Sequence, residues 1–336
     1  MMAKLDILGP YVDLIGATAT QWTVVTTASD HVVYTSQFLD LTISGNFTIG
    51  AGGQVAGTTT GVNVYSRGFN GAQVLRATDL SVDAAKLVDV ILGAKYDADV
   101  YAFLFSGDDT ITGSTLHGAI QGFGGNDTIR AGAGDDRIGA SAGNDSVDGG
   151  AGFDVAVFQG VFANYKVERT ANGYTITDLK GSGGTDTLTN VERAWFNDKN
   201  VALITPDSTG GQLVRLYQAA LGRLPDEPGL TYWQAQVEDH GVKLEALAGS
   251  FIQSAEYQQL YGSVQSNRDL VAKYYEHILH RAPEQGGLDF WAGVLDGHKA
   301  TSAQVLAAIS ESPENLALSV QLIGNGLVFD APVITY

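Results

Sequence analysis

The sequence predicts a multidomain protein of β plus α class: a β-rich N-terminal region with short helices (1–103), a parallel β-roll or solenoid (104–157), a β cap (158–205) and an all-α domain of about eight short helices in two repeats (206–336). Three observations predict it. Aspartates Asp109, Asp127, Asp136, Asp145 and Asp154 fall on a nine-residue grid that misses one beat at Gly118. From about Ser208 the hydrophobic spacing becomes helical, and the segment repeats itself at an interval of 58 residues. With 336 residues and 44% hydrophobic content, the chain can bury cores for two or three domains.

Composition narrows the partners. Nineteen basic residues stand against 37 acidic ones, a formal net charge of −18, which repels nucleic acid and anionic lipid and favours cations. Cysteine is absent, so neither a disulfide framework nor a thiolate zinc site can form. The segment MMAKLDILGPYVDLIG has one lysine, an early Asp6 and Pro10 within a short apolar run, which is not the pattern of a signal peptide. No stretch approaches the roughly 18 apolar residues of a membrane helix, so no membrane insertion is expected.

Before the grid, QFLDLTISGNFTIGAGGQVAGTTTGVNVY has short β-branched runs punctuated by glycine, which suits solenoid rungs or a small sandwich stacked on the first coil. SVDAAKLVDVILG follows with helical character, Ser81 as N-cap and Gly93 as stop.

The grid itself has three columns. Gly107, Gly125, Gly134, Gly143 and Gly152 stand two residues before the aspartates, and Ile111, Ile120, Ile129, Ile138 and Val147 stand at the position two after. The repeats read LFSGDDTIT, GSTLHGAIQ, GFGGNDTIR, AGAGDDRIG, ASAGNDSVD and GGAGFDVAV, the second and last degraded. Glycine lets the first half of each repeat turn tightly, and the β-branched residue begins a short strand with its side chain in the core. Two nonapeptides make one coil, so residues 18 apart occupy adjacent rungs about 4.8 Å apart. The aspartates therefore stack. Two bare carboxylates at that distance repel by roughly 3 kcal/mol at an effective dielectric of about 20, so a cation must sit between them. Carboxylate and carbonyl oxygens without His or Cys in the turns suit Ca²⁺ rather than zinc or copper.

The nonapeptide GGxGxDxUx is the calcium repeat of RTX proteins, and the residues quoted above resemble that family over about fifty positions. In the family, one turn supplies the carbonyls of its second and fourth repeat positions with its aspartate, and the next turn supplies its first, third and aspartate. The resemblance thus implies one site from Phe105, Gly107 and Asp109 with Gly122, Gly124 and Asp127, and a second from Phe123, Gly125 and Asp127 with Ala140, Ala142 and Asp145. On the other side Gly132, Gly134 and Asp136 would meet Gly149, Ala151 and Asp154. Pairing Gly118 with Asp136 lacks a carboxylate and has Leu116 where glycine is expected, so three sites are expected and a fourth would be weak.

After the grid, VFANYKVERT and NGYTITDL read as strands around Ala171 to Gly173, and GTDTLTNVERAWFNDKNVAL closes the stack, with Trp195 and Phe196 as core residues. In the last segment Leu213, Leu216, Tyr217, Ala220 and Leu221 share a helical face ended by Gly222. Arg223, Pro225, Gly229, Leu230, Trp233 and Ser254 recur as Arg281, Pro283, Gly287, Leu288, Trp291 and Ser312. Equivalent tryptophans in duplicated helices read as packing positions. This region resembles the helical domain of unknown function often attached to RTX repeats in secreted, surface-layer and biofilm-associated proteins.

Enzyme motifs fail. HExxH, P-loop and EF-hand patterns are absent, and GASAG at Gly139 to Gly143 lies in the repeat register, making Ser141 a turn residue rather than a nucleophile. His277 and His280 share a helical face without a third ligand. No catalysis is expected. The RTX resemblance implies export from a Gram-negative bacterium by type I secretion, through an uncleaved C-terminal signal that NGLVFDAPVITY would contribute to, and folding in external calcium. Two functions are open: a self-assembling surface-layer or biofilm-matrix protein, which is favoured, and a calcium-dependent adhesin for cell-surface polysaccharide. An enzyme ranks last.

Overall fold

The structure, a computed structural model, describes residues 106–113 and 118–330 in full and the backbone of six strands before them. The chain divides into two compact units, Met1–Leu203 with Asp330–Tyr336, and Ile204–Phe329.

The first unit is built from strands. β1 (Lys4–Ile7), β2 (Thr23–Thr27), β3 (His31–Thr35), β4 (Leu39–Ile49), β5 (Val55–Ser66) and β6 (Ala72–Asp83) precede the grid. Strands β2 to β6 form an antiparallel meander, so this region is neither solenoid rungs nor a two-sheet sandwich. Its connection to the repeats is β1, which pairs antiparallel with β6 on one edge and parallel with β7 (Thr110–Thr112) on the other. Ser81 is not a helix N-cap: it lies within β6, where Thr59↔Val82 and Thr58↔Asp83 pair with β5. The alternation Leu80-Ser81-Val82-Asp83 continues the period of two, and an edge of β5 is present to bond it, so the ladder wins over the cap. Residues 84–93 of that expected helix lie outside the described residues.

The grid alternates between two parallel ladders. β7, β9 (Thr128–Ala133) and β11 (Ser146–Ala151) neighbour one another in one, and β8 (Ala119–Gln121), β10 (Arg137–Gly139) and β12 (Val155–Val157) in the other. Each register step is 18 residues: Ile111↔Ile129, Ile129↔Val147 and Ile120↔Ile138. Ile111, Ile129, Ile138 and Val147 are wholly buried, because every second strand residue points inward.

The cap extends both ladders. β13 (Tyr165–Arg169) and β14 (Tyr174–Asp178) form a hairpin, β15 (Thr185–Thr189) pairs parallel with β11, β16 (Arg193–Trp195) pairs parallel with β12, and β17 (Lys199–Ala202) runs antiparallel to β16. Phe158 stacks on Phe196 with ring centroids 5.3 Å apart, and Phe162 and Tyr165 close on the same ring. Phe196 is core, as expected. Trp195 is not: strand alternation buries Ala194 and turns Trp195 outward, 37% exposed, with the Arg137 guanidinium 5.5 Å from its ring.

The second unit holds eight helices among the described residues: α1 (Thr209–Leu221), α2 (Glu227–Glu238), α3 (Leu244–Ile252), α4 (Ala255–Tyr261), α5 (Asn267–Leu279), α6 (Gln285–Asp296), α7 (Ser302–Ser310) and α8 (Pro313–Ile323). The first residue of each of α5 to α8 lies 58 after that of α1 to α4. Ser208 and Ser266 cap α1 and α5 by accepting from the backbone of Gly211 and Asp269, and Ser254 and Ser312 cap α4 and α8 in the same way. Gly222 ends α1 in the left-handed region, and His280 takes that conformation at the end of α5.

The recurring residues have one physical job. The Trp233 and Trp291 side chains hydrogen-bond the hydroxyls of Tyr217 and Tyr275. Arg223 and Arg281 lie over those tyrosine rings at 5.3 and 5.1 Å. Each arginine also grips a carboxylate with two nitrogens, Glu256 and Glu314. Both tryptophans are half-buried within these clusters, as packing residues. Arg215, 2% exposed, ties the copies together through a two-pronged bond to Glu311 at 2.8 and 2.6 Å.

Gly287 and Gly286 separate these demands. A Cβ on Gly287 would run into the Tyr275 hydroxyl, whereas one on Gly286 meets nothing. Gly287→Ala is expected to lower stability by about 1–3 kcal/mol through overpacking. Gly286→Ala is expected to raise it, by up to about 1 kcal/mol, through helix propensity. Thermal denaturation of the two variants checks the pair; equal effects would contradict the close Tyr275 contact.

Candidate metal centre

The site begins with backbone angles. At the second position of four consecutive repeats the residue is left-handed: Phe123 (φ 66°), Gly132 (φ 113°), Ser141 (φ 80°) and Gly150 (φ 100°). At the fourth position Gly125, Gly134, Gly143 and Gly152 are left-handed too, with φ from 98° to 134°. Two such residues per turn fold the chain back onto its neighbour, so that a Cβ on Gly143 would collide with the Gly125 carbonyl. Only glycine fits there without strain. Ser141 is a turn residue, far in geometry from the strand–turn–helix elbow of a serine hydrolase.

These turns stack the aspartates into two columns. Asp109, Asp127 and Asp145 form one and Asp136 and Asp154 the other, all five at most 3% exposed. Within the columns the carboxylates of Asp127, Asp145 and Asp154 are bonded by the backbone of the preceding turn. The Asp109 N–H donates to Asp127 Oδ1 at 2.8 Å, the Asp127 N–H to Asp145 Oδ1 at 2.8 Å and the Asp136 N–H to Asp154 Oδ1 at 2.9 Å. An outer ladder runs beside them, with the Asn126 N–H on Asp108 and the Asn144 N–H on Asn126. One oxygen of Asp127, Asp145 and Asp154 is thus satisfied, while Oδ2 of these three is buried with no hydrogen-bond partner.

The expected carbonyl donors flank these oxygens unequally. Gly107, Gly125, Gly132 and Gly134 place their carbonyls against the next turn, where an added Cβ on Gly125, Gly143, Gly150 or Gly152 would strike them. A Cβ on Gly122 or Gly149 would touch Oδ2 of Asp127 or Asp154, so each first-position glycine borders its own aspartate; Gly122 also faces the Ala140 carbonyl. The carbonyls of Phe123, Ala142 and Ala151 accept from Ala142, Gly125 and Gly134, and Gly124 bridges Ala142. Phe105 and Leu116 lie outside the described residues. Gly118 takes the aspartate's place in backbone terms, its carbonyl accepting from Arg137 at 2.9 Å, but brings no carboxylate.

Electrostatics show what the packing lacks. Burial, followed by repulsion from Asp145, Asp109 and Asp108 against the relief of the backbone bond, pushes Asp127 up from 3.8 to about 7. Burial likewise raises Asp145 and Asp154 to about 6. Among the described residues no three His, Cys, Asp or Glu side chains gather to hold a metal, so a cation between two of these carboxylates would have to complete its shell with backbone carbonyls. Orphaned buried carboxylate oxygens beside backbone carbonyls fit an oxygen-seeking ion of flexible coordination, which is the chemistry of Ca²⁺.

Two residues in the columns were missed by the sequence reading. The Asp145 N–H donates to Asp186 Oδ1 at 3.0 Å and the Asp154 N–H to Glu192 Oε2 at 2.8 Å. Asp186 and Glu192 therefore continue the two columns into the cap. The signal for Asp186 was present as Gly184-Thr185-Asp186-Thr187-Leu188, but the hairpin inserted before it breaks the nine-residue phase. Glu192, six residues further and of different type, left no periodic signal.

Residues 121–156 match the family model of the RTX calcium-binding nonapeptide repeat (4 copies). Residues 248–319 match a domain of unknown function, DUF4214. No curated protein matches the chain. RTX nonapeptide repeats bind Ca²⁺, and they are typical of secreted extracellular proteins. No helix among the described residues is long and apolar enough to cross a membrane.

The raised carboxyls set a pH dependence. Their folded values lie above the 3.8 of an ordinary aspartate, so the metal-free fold binds extra protons between about pH 4 and about pH 7. Its stability is full below that window and falls as pH rises through it. Thermal denaturation in chelator, followed by β-sheet circular dichroism, should give a melting temperature that declines across the window. Asp127→Asn should flatten the decline, and added Ca²⁺ should reverse it.

Proposed function

We propose that this is a secreted calcium-binding structural protein of the cell exterior, surface-layer-like or a biofilm-matrix component, that folds and self-assembles in external Ca²⁺ and has no enzymatic activity. The carrying observation is the pair of buried aspartate columns with orphaned oxygens on Asp127, Asp145 and Asp154. Without a cation the repeats form a β-roll against their own repulsion, and with one they form it readily. On this reading Ca²⁺ sits in three sites, between Asp109 and Asp127, Asp127 and Asp145, and Asp136 and Asp154, with the flanking carbonyls expected from the repeat pattern. Export by type I secretion through a C-terminal signal is consistent with it, because low internal calcium leaves the roll open. Exposed apolar i,i+4 pairs on two sides of α8, Leu316 with Val320 and Leu318 with Leu322, support surfaces that associate.

A second reading, a calcium-dependent adhesin for surface polysaccharide, has its own observation. Tyr232 and Phe290 occupy equivalent places in the two helical copies and are 56% and 61% exposed. Paired exposed rings of this kind suit stacking on sugar faces.

Titrating Ca²⁺ into the protein while following circular dichroism and light scattering, with and without cell-surface polysaccharide, separates the readings. Folding followed by growth of large assemblies is expected. A folded monomer that binds glycan, and loses it in a Tyr232→Ala, Phe290→Ala double variant, would replace the matrix role with the adhesin. Asp127→Ala, which removes a carboxylate shared by two sites, should shift the folding midpoint to higher Ca²⁺ than Asp154→Ala does. Equal shifts would contradict the sharing.

A further inference from the structure

The first carboxylate column does not stop where the repeats stop. Thr185, Asp186 and Leu188 repeat the bonds of Asn144, Asp145 and Val147 across a gap of 41 residues instead of 18. The Thr185 N–H donates to Asn144 Oδ1 at 2.8 Å, as the Asn144 N–H does to Asn126 Oδ1 at 2.8 Å. The Asp145 N–H donates to Asp186 Oδ1 at 3.0 Å, as the Asp127 N–H does to Asp145 Oδ1 at 2.8 Å. Leu188 pairs in parallel with Val147, as Val147 does with Ile129. The Gly143 N–H donates to the Ser182 carbonyl at 3.2 Å, the counterpart of the Gly125 N–H on Ala142 at 2.9 Å.

We propose that Asp186 and Asp145 hold a further Ca²⁺ ion, closed by the backbone carbonyls of Gly143 and Ser182, at the junction between the repeats and the cap. It rests on the calcium reading of the repeat columns and adds a site whose second carboxylate, Asp186, lies outside residues 121–156 of the repeat match. Asp186 is 2% exposed, and Asp145 is 2% exposed with an orphaned Oδ2. Both are buried, and the bond from the Asp145 N–H to Asp186 Oδ1 brings the two carboxyls together.

The loop that would close the site is already shaped. Asp178, at the end of β14, accepts from the backbone of Lys180 at 2.9 Å, Gly181 at 2.8 Å and Gly183 at 3.1 Å. Asp178 is thus a positioning residue, spent on N–H groups and held below the ordinary carboxyl range by them. Gly184 is left-handed (φ 66°) and faces the Gly143 carbonyl as Gly143 faces that of Gly125. All-oxygen ligands on a glycine-rich loop suit the flexible coordination of Ca²⁺ better than the strict octahedron of Mg²⁺. Such an ion would fasten the cap to the stack, so that the cap docks only after calcium has ordered the last repeats.

Calorimetric titration of the full chain with Ca²⁺ tests this by stoichiometry. Asp186→Asn keeps the shape and an acceptor for the Asp145 N–H; it should bind one Ca²⁺ fewer than the unmodified protein while still folding on calcium. An unmodified protein that binds no Ca²⁺ would sink the column reading and this site with it. Binding in full by the unmodified protein and an unchanged count in Asp186→Asn would overturn this site alone. Should Asp186→Asn fail to fold, anomalous diffraction from calcium-grown crystals of the unmodified protein decides. A peak between Asp145 and Asp186 is expected, and its absence alongside a peak at Asp127 refutes the proposal.

Discussion

The spacing of buried carboxylates one strand apart is the constraint on which this protein depends. Hydrogen bonding in parallel ladders fixes neighbouring rungs at about 4.8 Å, and the repeat length places an aspartate on every rung but that of Gly118. The backbone N–H of each turn bonds one oxygen of the next aspartate, which locks the carboxylate in place and leaves its other oxygen facing inward. The hydrophobic column of Ile111, Ile129 and Val147 pulls the coils together, while the aspartates push them apart. On the calcium reading, a cation between them turns the opposing force into a bond.

The second unit handles charge in the opposite way. Arg223 with Glu256, Arg281 with Glu314 and Arg215 with Glu311 are matched internally, each by two hydrogen bonds. Tyr257 and Tyr274 share a hydroxyl–hydroxyl bond at 2.5 Å, and the Tyr261 hydroxyl donates to the Ala219 carbonyl. These three arginines thus find their counter-charges within the helical unit itself.

Much of the fold was legible because it is periodic. Glycine, aspartate and β-branched columns at nine residues fix the coil, and a 58-residue echo of Arg, Gly, Trp and Ser fixes the helical pairs, down to the recurring Ser254 and Ser312 that cap α4 and α8. Periodicity could not say that Trp233 and Trp291 hold tyrosine hydroxyls, or that Trp195 turns outward over Arg137 while Phe196 turns in. Those outcomes depend on which face of a strand or helix meets a partner.

By itself the sequence determined the existence of the aspartate columns, their period and the oxygen-only chemistry of their turns, because these follow from residue type and local spacing. Only the tertiary structure decided where the columns end and what precedes them. Asp186 joins Asp145 across a hairpin of two strands, Glu192 reaches Asp154 out of phase, and β1 returns from the start of the chain to pair with the first repeat strand. Strand pairing acts through space, and the cost of closing a loop rises only slowly with the length of chain looped out between its partners, so pairing restores a register that a linear period had lost.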